Sequence, residues 1–98
     1  MIGLDEKTQE SIRNVFKEFS AIKEARIFGS RVIGNFRPNS DVDIALFGDL
    51  NGEVRGRVSA ALDALPTPYQ FDVVCYLEIQ NSDLKDHIDR VGKILYKQ

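Results

Sequence analysis

The sequence predicts a single α/β domain, and three observations support that fold class. Apolar stripes at helical spacing alternate along the chain with short apolar runs too brief for helices. Each run is closed by glycine, proline or small polar residues, and no linker, internal repeat or low-complexity segment divides the chain. At 98 residues, the chain can bury one modest core, but is too small for a catalytic domain plus a separate substrate-binding domain.

From Asp5 to about Ser20, Ile12, Val15, Phe16 and Phe19 recur at i, i+3, i+4 and i+7. Lys7, Glu10, Arg13 and Lys17 fill the opposite face, and Asp5 reads as the N-cap. Ala25 to Phe28 is a buried strand ending at Gly29, and Ser30 to Gly34 reads as a brief helical turn. The first amides of that turn would face the strand end, where a phosphate would sit. Asn35 to Ser40, containing Pro38, is a loop, and Asp41 to Phe47 is the second strand, closed by Gly48 and Asp49.

Val54, Val58, Ala61, Leu62 and Leu65 form the next helical stripe, ended by Pro66. A third strand runs from about Gln70 to Leu77, with Asp72, Val74 and Tyr76 on one face and Phe71, Val73 and Cys75 on the other. Asn81 or Ser82 caps a last helix along which Leu84, Ile88 and Val91 align. Gly92 is expected to end that helix in a left-handed conformation, before a short terminal strand from Lys93 to Tyr96.

Composition narrows the function. Lys+Arg 13 against Asp+Glu 15 gives a net charge of -2, which argues against strong intrinsic nucleic-acid binding and leaves a single bound nucleotide compatible. The lone cysteine, Cys75, has no partner for an internal disulfide, and the N-terminus lacks a basic flank with an apolar segment. No apolar run approaches the roughly 18 residues of a membrane span, so a cytoplasmic protein is expected.

The chemistry concentrates between Gly29 and Asp43. Asp41 and Asp43, at i and i+2 of a strand, project to one face, where two carboxylates repel unless a cation neutralises them. All-oxygen ligation suits a hard ion such as Mg2+. Asp72 is an acid in the middle of an otherwise apolar strand. Beside the other two it completes a cluster able to hold two divalent ions about 4 Å apart, a spacing suited to phosphoryl displacement.

Gly29 allows the backbone to approach a ligand closely, and Ser30 offers an amide and a hydroxyl to a phosphate. Arg31, and more weakly Arg37, are candidate phosphate contacts. His87, between Asp83 and Asp86 on its helix, reads as a surface residue, so a Ser-His-Asp or Cys-His site has little support, and Cys75 reads as a small core residue.

Gly29-Ser30, a polar loop, Asp41-Val42-Asp43 and the later Phe71-Asp72-Val73 together resemble the nucleotidyltransferase fold of the DNA polymerase beta superfamily. The whole core and the closing Gly92-Lys93-Ile94-Leu95-Tyr96 are similar to its minimal nucleotidyltransferase (MNT) group. The resemblance covers nearly the whole chain and implies one minimal nucleotidyltransferase domain over residues 1–98, a mixed sheet flanked by helices. It further implies Asp41 and Asp43 as Mg2+ ligands that position the triphosphate, and Asp72 as a ligand of the catalytic metal that helps deprotonate an acceptor hydroxyl. Gly29, Ser30, Arg31 and Ser40 would bind the nucleotide.

The implied reaction is attack on the α-phosphate of ATP or another nucleoside triphosphate. Members of the group are commonly antitoxins paired with a helical HEPN toxin, which they adenylylate or bind; an oligomer is compatible with this reading. Val32-Ile33 departs from the smaller or more polar residues usual there. Two other readings compete: a non-catalytic module that neutralises a HEPN partner by binding, and an aminoglycoside-type nucleotidyltransferase. The last is disfavoured because such enzymes carry an extra acceptor domain.

Overall fold

The computed structural model describes residues 3–34 and 41–98. In chain order they form α1 (Glu6–Lys17), β1 (Ile22–Phe28), α2 (Ser30–Ile33), β2 (Val42–Gly48), α3 (Gly52–Asp63), β3 (Phe71–Cys75), a 3-10 turn (Tyr76–Glu78), α4 (Ser82–Val91) and β4 (Lys93–Lys97). The strands make one mixed sheet in the order β3-β2-β1-β4. β1 is antiparallel to both β2 and β4, whereas β2 and β3 are parallel, joined by the α3 crossover. The α/β class and the mixed sheet flanked by helices are therefore observed.

The strand pleat sends alternate residues to two different environments. Val42, Ile44 and Leu46 of β2 enter the main core with Ala25 and Ile27 of β1 and Val73 of β3. Ile12, Val15 and Phe16 of α1 and Val58 and Leu62 of α3 cover this face. Phe28, Ala45 and Ile88 of α4 form a second, smaller cluster on the other face. Asn51 caps α3 by accepting the Val54 N–H at 2.9 Å, and Asn81 caps α4 by accepting the N–H groups of Asp83 and Leu84. Among the described residues no helix is long and apolar enough to cross a membrane.

Three details differ from expectation. β1 begins at Ile22 rather than Ala25, because Ile22 is fully buried although the polar Lys23 and Glu24 interrupt the apolar pattern. β3 ends at Cys75 rather than Leu77. There the Tyr76 ring stacks on Phe47, its hydroxyl donates to Asp89 at 2.9 Å, and Leu77 emerges 73% exposed. Gly92 has φ -59 and ψ 134, so it is not left-handed. Glycine is needed there for space: a Cβ would lie 2.5 Å from the Ile88 carbonyl oxygen.

Candidate active site

The site begins where β1 runs out. Gly29 has φ 79, a conformation that favours glycine. It also lies so close to Asp43 that a Cβ would collide with the Asp43 carboxylate. α2 starts at once, with the Gly29 carbonyl accepting the Val32 N–H at 3.2 Å, and Gly34 closes it in the left-handed region at φ 82. The amides of Ser30 and Arg31 fall in the first turn, where a helix has no acceptors of its own for N–H groups.

Strand register places the acids. Asp43 is paired with Phe28 of β1 on one side and with Asp72 of β3 on the other. Residues opposite one another on neighbouring strands share a face, so the two carboxylates stand side by side. Asp41 is exposed immediately before β2, two residues from Asp43 and of the same parity. Burial, and then the charges of Asp72 and Asp41, push the Asp43 carboxyl above the ordinary aspartate range, with His87 opposing them. An acid held this way favours any cation that relieves the repulsion.

The donors fit a hard divalent ion. Among the described residues no three His, Cys, Asp or Glu side chains are gathered to hold a metal, so the expected three-carboxylate cluster of Asp41, Asp43 and Asp72 is not assembled, and the in-register pair is Asp43 and Asp72. Mg2+ does not need such a cluster, since it commonly takes one or two carboxylates and completes its shell with water and substrate phosphates. Asp43 and Asp72 could supply such a pair, and the close fit of Gly29 against Asp43 puts the turn amides next to it.

Arg31 lies elsewhere than an exposed phosphate contact would. It is 2% exposed, its Nη1 donates to the Gly3 carbonyl at 2.6 Å, and its guanidinium lies 4.6 Å from the centre of the Tyr69 ring. The Gly3 N–H returns a bond to the Arg31 carbonyl at 3.1 Å, so Arg31 ties the segment before α1 to the turn. Ser40 and Arg37 lie outside the described residues. Cys75 is buried in the core as expected, and burial together with a hydrogen bond to Glu78 pushes its thiol up to about 11, far from a reactive thiolate.

His87 is the residue that sequence reasoning misplaced. It is half-buried rather than a surface residue, with Nε2 accepting the Gly29 N–H at 3.3 Å and the ring edge-on to Phe28. The signal was present: Leu84, His87, Ile88 and Val91 stand at i, i+3, i+4 and i+7, so His87 belongs to the inward stripe of α4.

The chain matches the Polymerase beta, Nucleotidyltransferase family over residues 10–98. No curated protein matches it. Among solved structures it is similar to a toxin-antitoxin with AMP-PNP, with TM-score 0.72 and 23% identity over 92% of this chain and 73% of that one. The toxin-antitoxin MntA-HepT gives TM-score 0.73 and 18% identity over 96% and 74% of the two chains. A complex of tri-AMPylated Shewanella oneidensis HEPN toxin with MNT antitoxin gives TM-score 0.74 and 17% identity over 97% and 74%. At these identities the likeness establishes a shared fold.

Proposed function

Because the chain belongs to the polymerase beta nucleotidyltransferase family, we propose that it transfers AMP from ATP to a hydroxyl of a partner protein with the help of Mg2+. The partner in this reading is a HEPN-type toxin, which the chain neutralises as its antitoxin in the cytoplasm. The observation that carries the reading is the in-register Asp43–Asp72 pair next to the Gly29 turn. The AMP-PNP and the tri-AMPylated HEPN toxin in similar structures support the choice of nucleotide and partner.

The residues divide the work by position. The amides of Ser30 and Arg31 receive the outer phosphates, and Asp43, with Asp72 beside it and Asp41 two residues before it, would hold Mg2+. Bound Mg2+ neutralises phosphate charge and aligns the triphosphate for in-line displacement. Asp72, exposed on the edge strand, takes the proton of the acceptor hydroxyl. The hydroxyl oxygen bonds to the α-phosphorus, the bond from that phosphorus to the bridging oxygen breaks, and pyrophosphate leaves. Positioning and charge neutralisation supply most of the rate in such a step.

The test is intact-mass spectrometry of a co-expressed HEPN-type partner after incubation with this chain, Mg2+ and ATP, beside an Asp41→Ala/Asp43→Ala control. One or more added AMP masses, absent from the control, are expected. A stable complex with no mass change would replace transfer by neutralisation through binding alone.

A further inference from the structure

α4 reaches the nucleotide turn through His87. Ile88 anchors the helix by packing with Phe28 and Ala45, and the His87 ring stands edge-on to Phe28 with centroids 6.0 Å apart at 77°. That orientation brings Nε2 to 3.3 Å from the Gly29 nitrogen, as acceptor of its N–H. An accepting Nε2 carries no proton, so the bond is made by the neutral ring protonated on Nδ1 and not by the charged ring that opposes the rise at Asp43.

Gly29 needs an external constraint. A glycine populates positive and negative φ with similar ease, so its backbone is held by its surroundings rather than by its own sterics. Its carbonyl is held by the N–H groups of α2, the Asp43 carboxylate closes off the space beside its Cα, and His87 takes its N–H, fixing the peptide unit on the strand side. Asp43 belongs to the ligand site itself, whereas His87 approaches from the helix behind the turn.

We propose that His87 is a positioning residue for the nucleotide. It fixes the peptide unit between Phe28 and Gly29, and thereby the direction of the Ser30 and Arg31 amides that follow. The inference rests on the nucleotide reading above and extends it to a residue that does not touch the ligand. Without the acceptor, the turn would have to be ordered during binding, and that cost would appear as lost affinity.

The test uses the full chain with ATP and Mg2+ in titration calorimetry, alongside amide hydrogen exchange at Gly29 followed by NMR. His87→Leu fills similar space without an acceptor, whereas the Gln amide oxygen of His87→Gln can occupy the place of Nε2. One lost hydrogen bond predicts affinity weakened about fivefold in His87→Leu and restored to within about twofold of wild type in His87→Gln. Gly29 exchange should quicken in the Leu variant and return in the Gln variant, a rescue that mere loss of packing would not give. If His87→Leu does not fold, His87→Asn, whose shorter amide cannot reach Gly29, takes its place. Unaltered ATP affinity in the variant lacking the acceptor overturns the inference. Failure of the wild-type chain to bind ATP overturns the nucleotide reading and this extension with it, and the two failures show in different samples.

Discussion

Towards α1 and α3, β2 presents Val42, Ile44 and Leu46, each at most 1% exposed; towards α4 it presents Asp43, Ala45 and Phe47, of which only Ala45 is buried. One strand thus serves two surfaces with different physics. The first is covered by two helices and holds most of the apolar core. The second is covered by one helix, and at the edge of that cover a row of Phe28, Asp43 and Asp72 runs across three strands, passing from the buried Phe28 to the exposed Asp72. Burial on the closed face supplies the stability that lets like charges be held together on the open one. Neighbouring residues of β2 should therefore respond to substitution with opposite sign.

The largest effect belongs to the closed face. Ile44→Ala leaves a cavity in a fully buried site and should cost about 2–5 kcal/mol in urea unfolding. A cost no greater than that of a surface substitution would erase the distinction between the faces. Gly29→Ala comes next, because it forces an unfavourable φ and drives a methyl into Asp43. About 1–3 kcal/mol is expected from the strain. Loss of Mg2+ and ATP affinity should accompany that loss in calorimetry, because the same contact shapes the site.

Asp43→Asn has the smallest effect and the opposite sign. The Asp43 carboxyl is raised in the folded state, so its contribution to stability is full below the unfolded pKa and is lost as pH rises through the folded one. At neutral pH the charge is therefore a burden, and the variant should melt slightly higher than wild type. The difference should vanish in acid below the ordinary aspartate range, and thermal melts across that range decide it. Added Mg2+ should close the gap from the other side by stabilising wild type alone.

Periodicity made α1, α3 and α4 legible because each buries one stripe against the sheet, and the acids stood out because their strands are otherwise apolar. The pairing of β2 with β3 was not readable from either strand, since register is decided by the crossover and the shared core. His87 was obscured by its acidic neighbours: Asp83 and Asp86 suggest a solvated face, although the i+3 spacing from Leu84 points inward. Nothing local predicts that the Arg31 guanidinium will turn to Gly3, 28 residues earlier in the chain, and to Tyr69. At Gly92 the usual glycine inference failed because the residue serves a close approach to the Ile88 carbonyl rather than a left-handed cap.

The Asp43–Asp72 pairing also makes the core a proofreader of alignment. Because side chains alternate along a strand, a slip of β3 by one residue would turn Asp72 into the apolar interior and push Val73 and Cys75 out of it. A sheet that could tolerate such a slip would fold with its acids out of line. In this chain the misaligned form would have to bury a carboxylate in exchange for two apolar side chains. A register slip of β3 is therefore disfavoured by the same core that aligns the acids.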